Sequence, residues 1–449
     1  MSGHNSQWQQ RERDLKGQRQ LAALAEIEAE FENIRSAWHW AVDQRDFDAL
    51  DQMADSLYWF CTIRNRTAEA LELYTYAREK LAPAAGETPH PFWGRLLAGI
   101  DAKSPRAAHK ETEAAMAIAR QHDNKAEIAR CLADFGLIAR SMGNHQKAID
   151  YLEQALEAYR ALDDRFAMVE VMRNLAKSYQ WTDGPQARTA DLRHEALALS
   201  REIGHLYGTA ILLSDSGGAA WQNGALDDAT GYFAESDPLL TQIGDRLFRG
   251  VAKTFMASIA FEQGVLSRAA DLAHASLALA NELDNQEEKP YALCLLALVA
   301  TLHGDHVTAK AHCEEAVAAA GQESPAQALT HGCLAILAAN QDDWRAARKH
   351  LRAQLKIKRK DRKPLGFPAP LAVGAILANQ DGDFVQAAEL LALAFTHPLS
   401  PNGWLAAWPR ITALRAELER KLGADDYHAT WERGAKQDLT KKLKELQRL

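Results

Sequence analysis

Nowhere in its 449 residues does this chain stay apolar over the roughly 18 positions that a membrane-spanning helix requires. The start, Met1-Ser-Gly-His-Asn-Ser-Gln, lacks the charged-then-apolar build of a signal peptide. Cysteine is sparse. Cys61, Cys131, Cys294, Cys313 and Cys333 stand far apart with no CxxC pair, which speaks against a disulfide scaffold. Reduced, buried thiols in a cytoplasmic protein are the expectation. A basic excess is missing too. The formal net charge is −8, against the cationic face that a general nucleic-acid binder needs. No G-x-x-x-x-G-K-S/T phosphate loop occurs, and no strand-rich segment could carry one. No Ser-His-Asp, Cys-His or paired-carboxylate constellation stands out. Neither catalytic residues nor a cofactor is therefore assigned, and the chain reads as a non-enzyme.

What is present is alanine and leucine, few β-branched runs, and 25% charged residues, the composition of a mostly helical chain. Turn residues recur about every 40 positions, at Gly143, Gly184, Gly224, Gly264, Gly304, Asp342 and Gly382. Around Gly143, the residues Leu132, Phe135, Gly136 and Ala139 share one helical face, and Ala148, Leu152, Ala155 and Tyr159 share the next. Downstream, Gly217, Ala257, Ala297, Ala335 and Ala375 precede each turn by seven residues, while Ala229, Ala269, Ala309, Ala347 and Ala387 follow it by five. Ser236, Ser276, Ala316 and Ala394 repeat the small contact later in the second helix. Small residues at these places let paired helices approach closely. The unit around Gly184 carries one extra residue, and Asp342 replaces the usual glycine.

This grammar resembles the tetratricopeptide repeat in its longer form, over residues from about 125 to 397. The resemblance implies an all-α, right-handed α-solenoid of about 8–10 helix-turn-helix units of ~40 residues, whose first helices line a concave groove. Four stretches follow from it. Residues 1–20 are a linker or frayed segment, 21–122 an N-terminal helical region of atypical repeats, 123–397 the array, and 398–449 capping helices. Pro83, Pro89, Pro91 and Pro105 break the period within the second stretch.

The two ends narrow the resemblance. Leu24 to Ala41 reads as one long amphipathic helix with Ile27, Phe31, Ile34, Trp38 and Ala41 on its stripe. Asp48–Ile63, with Tyr58, Trp59 and Phe60, and Ala68–Leu81 follow as helices. Within this stretch, Glu28, Glu30, Asn33, Ile34, Arg35, Ala37, Trp40 and Ala41 match a segment that is similar to the opening of the sensor region in STAND-type bacterial regulatory ATPases of the AfsR-like and LuxR-like, NB-ARC-containing kind. At the other end, Leu422 through Tyr427 and Trp431 to Gly434, then Asp438–Leu449, resemble the closing cap of the same arrays. Tyr427 and Trp431 would share a helix face and Gly434 would end that helix. The resemblance implies a ligand-sensing module that holds a parent nucleotide-binding module, fused in cis, closed until a ligand occupies the solenoid. The alternative is a stand-alone cytoplasmic scaffold or a peptide-pheromone receptor. An ATPase reading frame fused upstream of Met1 would favour the sensor.

Three side-chain groups are candidates for more specific chemistry. His303-Gly-Asp-His306, with His312 and Cys313, lacks the paired spacing of a zinc site and reads as hinge and packing. The basic run Lys356-Ile-Lys-Arg-Lys-Asp-Arg-Lys363 reads as a solvated linker into Pro364, Pro368 and Pro370. Positions just before the hinges, and a turn or two earlier, would face the groove: Arg130, Arg140, Asn174, Trp181, Trp221, Gln222, Phe261, Glu262, Tyr291 and Thr301. Aromatics there suit a peptide or protein ligand, and Arg130 with Arg140 suits a carboxylate. Ordinary packing between repeats is the competing role for the aromatics. Neither nucleic acid nor membrane is an expected partner.

Overall fold

A computed structural model describes residues 2–84, 86–97, 104–182, 186–322, 324–357, 368–397 and 402–448. Every regular element among them is a helix. The chain opens with α1 (Ser2–Leu15), α2 (Gln20–Ala29), α3 (Phe31–Asp43), α4 (Phe47–Ile63) and α5 (Thr67–Leu81). Next come α6 (Pro91–Leu97), α7 (Pro105–Gln121), α8 (Lys125–Ser141), α9 (His145–Ala161), α10 (Arg165–Gln180) and α11 (Gln186–Ile203). Then follow α12 (Leu206–Gln222), α13 (Leu226–Ile243), α14 (Arg246–Glu262), α15 (Leu266–Glu282), α16 (Lys289–Leu302), α17 (His306–Ala319) and α18 (Pro325–Asn340). The last are α19 (Trp344–Lys356), α20 (Pro368–Gln380), α21 (Phe384–Thr396), α22 (Gly403–Ala406), α23 (Pro409–Leu422), α24 (Ala424–Ala435) and α25 (Leu439–Leu446). Two compact units result. The first is Met1–Leu213 with Glu235–Asp245, and the second is Ser214–Ala234 with Arg246–Leu449.

The expected all-α solenoid of paired helices is what forms, and its turns explain why. A residue with left-handed backbone closes helices at Gly143, Gly224, Gly264, Gly304, Asp342 and Gly382, as the spacing predicts. Gly184 lies outside the described residues. The same conformation also occurs midway between those hinges, at Asp123, Asp163, Gly204, Gly244 and Asp284. Aspartate tolerates it better than most residues, so these joints carry a weaker signature than glycine does. The next residue or so then caps the following helix. Asn124, Asn144, Asp164, Asp305, Asp343 and Asp383 each accept a hydrogen bond from the amide three residues on, at 2.9–3.2 Å. Each such cap contributes about 1 kcal/mol.

Small residues do bring the helices together. A Cβ on Gly136 would fall 2.5 Å from Leu152 Cγ, and one on Gly217 would fall 2.8 Å from the Phe233 ring. Ala229, Ala269, Ala309, Ala347 and Ala387 are fully buried, as are Ser236 and Ser276. Both serines also satisfy their hydroxyls on the neighbouring helix, Ser236 donating to Ala210 O and Ser276 to Gly250 O.

The ends depart from expectation in three ways. The stretch Leu24–Ala41 is two helices, because the chain bends at Glu30 (φ −108°) between α2 and α3. The stripe Ile27, Phe31, Ile34, Trp38 and Ala41 is buried as expected, but α2 packs on α1 while α3 packs on α4 and α5. One straight rod could not serve both. The segment 1–20 largely forms α1, which is packed on α4. Leu15 is buried, and Arg11 reaches Glu30 at 2.6 Å. Gly434 does not end α24; it lies inside that helix, where Glu389 of α21 comes closest. A Cβ there would sit 2.6 Å from the Glu389 backbone. The hinge glycine is Gly423, at φ 83° between α23 and α24.

The C-terminal segment also does more than close the array. α23 and α24 pack on α21, with Tyr427 and Trp431 5.6 Å apart and Phe395 5.9 Å from Trp431. α22, in contrast, lies across the hinges of earlier repeats. Gly403 abuts Gln263 and Gly264, Trp408 donates through Nε1 to Asn340 Oδ1 at 2.8 Å, and Arg410 pairs with Asp342. α25 returns to α20, where Leu446 is buried against Gly374. Among the described residues no helix is long and apolar enough to cross a membrane.

Gly434→Val should lower the stability by about 2 kcal/mol, since overpacking against a backbone outweighs any gain in helix propensity. A fall in the urea midpoint without a change in slope would show it; an unchanged midpoint would mean that α21 and α24 can separate freely.

Candidate functional site

Inside the second unit the first helices of successive repeats, α14, α16 and α18, leave a cavity of about 760 Å³ between them. Helical spacing selects the lining. Thr254, Phe255, Ser258, Phe261 and Glu262 recur along one face of α14, and Tyr291, Leu295 and Leu298 along one face of α16. Leu329, Gly332, Cys333 and Ile336 do the same on α18. Trp221 and Gln222 enter from the end of α12. The far wall comes from elsewhere in the sequence: Gln354 to Ile357 at the end of α19, Trp404 of α22, and Thr440, Leu443, Lys444 and Gln447 at the C-terminus. Gln447 holds this wall in place by donating to Leu355 O at 2.5 Å.

Aromatic side chains gather at one end. Trp221 meets Phe255 edge-on with ring centroids 5.4 Å apart, and Phe261 stacks on Trp404 at 5.3 Å. Between them sits Glu262, whose Oε2 accepts the Trp221 indole N–H at 2.8 Å. Burial pushes the Glu262 carboxyl up to about 8, with the Trp221 hydrogen bond opposing it. About two turns away along α14, roughly 12 Å by helical rise, Thr254 donates to Glu288 Oε2 at 3.3 Å. Burial raises Glu288 as well, against that hydrogen bond and with help from Glu287. The Gln354 side-chain oxygen is buried without a hydrogen-bond partner. Lys356 and Lys444 are exposed where they line the cavity. The space is thus apolar and aromatic, with two reluctant carboxylates, an unsatisfied amide oxygen and two ammonium groups at its edge.

Of the residues expected to face a groove, Trp221, Gln222, Phe261, Glu262 and Tyr291 meet in this cavity. Thr301 does not. It is buried, donates back to Ala297 O at 2.7 Å, and its carbonyl accepts from Asn340, the residue that Trp408 holds. The returning C-terminal segment covers that position. Arg130, Arg140, Asn174 and Trp181 belong to the first unit. Arg130 is not an open anion site: Glu127 and Asp134 of its own helix pair with it. Arg140 approaches Asn174 Oδ1 at 3.5 Å, and Asn174 donates to Glu170 O at 2.8 Å. Trp181 follows α10 with its ring 6.2 Å from His145. The helical period pointed to Thr254, Ser258 and Leu298 as readily as to Phe261. Trp404 and the α25 residues carry no comparable sequence signal, because their contacts cross long stretches of chain, as in the 92-residue separation of Gln447 and Leu355.

The remaining candidates are simpler. Asp305 caps α17 and Cys313 is buried in the core of the second unit. No group of three or more metal-type ligands converges among the described residues. The basic run lies outside the described residues from position 358 onward.

A tetratricopeptide repeat family model matches residues 109–161. No curated protein sequence matches the chain. Among solved structures, the chain resembles a Signal Transduction ATPase with Numerous Domains (STAND) protein with a tetratricopeptide repeat sensor from Pyrococcus horikoshii. The TM-score is 0.55 at 14% identity, over 78% of this chain and 53% of that one. The chain therefore spans about half the length of that protein. The apo quorum sensor NprR from B. thuringiensis aligns with TM-score 0.46 at 14% identity, over 88% of this chain and 99% of that one. A Rap protein complexed with Competence and Sporulation Factor aligns with TM-score 0.47 at 14% identity, over 74% and 98%.

The raised Glu262 makes stability depend on pH. Its carboxyl holds a proton up to about 8 when folded but ionises from about 4.5 when unfolded. The folded state therefore binds more protons between those values, and stability falls as pH rises through that window, levelling off above it. Glu262→Gln should raise stability at pH 9 by at least about 1 kcal/mol and leave it unchanged near pH 4. Denaturant melts at the two pH values would show this; equal effects at both would mean that Glu262 is not held protonated. Taken together, repeat grammar, paired helices and the family match over residues 109–161 make the chain a tetratricopeptide-like helical repeat protein.

Proposed function

We propose that this chain is the non-catalytic, ligand-sensing module of a STAND-type signalling ATPase, and that its ligand occupies the cavity of the second unit. The observation that carries the reading is that five residues chosen from their place before the hinges, Trp221, Gln222, Phe261, Glu262 and Tyr291, line one cavity. A volume of about 760 Å³ sits within the roughly 300–1,000 Å³ of ordinary ligand pockets. It suits a short peptide, or the end of a protein chain, better than a folded domain. The STAND assignment rests on the match of Glu28, Glu30, Asn33, Ile34, Arg35, Ala37, Trp40 and Ala41 to such sensors. The Pyrococcus horikoshii protein pairs a repeat sensor of this fold with an ATPase.

For a ligand here to switch an ATPase, it must bind one arrangement of sensor and nucleotide-binding module more tightly than the other, a coupling typically of about 1–3 kcal/mol. α22 and α25 give the cavity a physical means to do so. They form its far wall from the C-terminal end of the chain, so filling the space acts on helices that also contact α14 and α20. A ligand that pushes this wall outward changes the surface that the array offers a partner.

Purified chain should neither bind nor hydrolyse ATP. A panel of short peptides, screened by thermal shift and by quenching of Trp221 and Trp404 fluorescence, should contain binders. Ser258→Phe, which places a ring in the cavity, should weaken them at least tenfold while leaving the helical circular dichroism intact. Binders indifferent to Ser258→Phe, or turnover of nucleotide by the chain itself, would overturn the proposal.

A further inference from the structure

We propose that the cavity selects a ligand carrying a cationic nitrogen on an apolar body, and that Glu262 is the anion that receives it. The inference rests on the cavity being the ligand site. Glu262 has one oxygen on the Trp221 indole and no cationic side chain within 4 Å among the described residues. No charge of either sign contributes to its displaced titration; burial does. That is unusual for this protein. In the first unit Arg95 reaches Asp51 at 2.8 Å and Asp55 at 2.6 Å, and Arg130 pairs with Glu127, so sheltered charges there meet their opposites. A carboxylate withdrawn from water is costly until something positive joins it.

The surroundings favour a soft cation over a proton as that partner. Trp221 and Phe255 line the cavity half-buried, with Phe261 and Trp404 stacked on each other behind them, and aromatic rings attract amines, guanidinium groups and quaternary ammonium. The rest of the lining, Leu295, Leu298 and Leu329 among it, takes an apolar body. Lys356 and Lys444, which would attract an anion, are exposed at the edge formed by α19 and α25.

The test uses the full chain with three benzyl probes: benzyltrimethylammonium, its neutral isostere neopentylbenzene, and anionic phenylacetate. Calorimetry and tryptophan fluorescence at pH 8.5 should show the cation binding at least tenfold tighter than either companion. Glu262→Gln, which keeps the acceptor for Trp221, should erase that preference while the thermal melt stays cooperative. The quaternary probe cannot titrate, and no histidine lines the cavity among the described residues. Glu288, Tyr291, Cys333, Lys356 and Lys444 are the other ionisable groups facing it; the Cys333 thiol is raised well above its usual range, and Glu288→Gln serves as the control. Affinity for the cation should therefore climb from pH 6.5 to 8.5 in the parent chain and in Glu288→Gln, and stay flat in Glu262→Gln. Equal binding of the neutral isostere would leave the cavity standing and overturn the cation preference. A cation bound equally well by Glu262→Gln would also overturn it. Failure of all three probes would remove the cavity itself.

Discussion

Close approach of helix backbones is the constraint on which the remainder of this structure depends. Each pair meets where one side chain has been reduced to hydrogen or methyl: Gly136 against Leu152, Gly217 against Phe233, Gly434 against the backbone of Glu389. A hinge in left-handed conformation sets the reversal, and an Asn or Asp cap starts the next helix. With the pairs locked in this way, some larger side chains of the first helices pack within their own hairpin, Phe135 on Tyr151 for one, and the rest reach beyond it. They must be covered by neighbouring repeats, by another part of the chain, or by a ligand.

The second unit shows the first two of these. Ala257, Ala297 and Ala335 are buried between repeats. At the hinge ends, Asn340 covers the Thr301 carbonyl and is itself held by Trp408, and Phe261 is covered on one side by Trp404. What remains uncovered is the space between Trp221, Glu262, Tyr291 and the C-terminal helix α25. A segment expected to close the array at its end thus also encloses a chamber along its length. Five sparse cysteines take no part in cross-linking it: all are free and buried.

Electrostatics separates the two units. The first places Lys16, Asp55, Arg95, Glu127 and Arg130 in one alternating chain of ion pairs. Although burial opposes ionisation there, Arg95 and Lys16 hold Asp55 down to about 2. Glu28, which belongs to the STAND-like segment, pairs with Arg64 and Arg66 at 3.3 and 3.1 Å, so that part of the motif has a structural role. Trp40 of the same segment is 59% exposed and contributes nothing to the core. Among the described residues of the second unit, Glu262 and Glu288 meet no cation, the opposite arrangement in a sheltered place.

Local chemistry made much of this legible before any coordinates. The period of hinges, the small residues seven before and five after them, and the 3.6-residue faces all depend on neighbours within a few turns, so sequence alone determined the helix pairs and pointed to five residues of the cavity wall. Aspartate at Asp123, Asp163 and Asp284 hid alternate joints, because it marks the left-handed conformation less clearly than glycine. Glu30 hid a bend for the same kind of reason, since nothing in its chemistry stops a helix. The pairing of Arg130 with carboxylates of its own helix was within reach, at spacings of three and four residues. Tertiary structure alone decided that Trp404, Lys444 and Gln447 line one cavity with Trp221 and Glu262. Contacts between residues so far apart along the chain depend on how successive hairpins stack and on where the C-terminal helices return, and no local pattern encodes either.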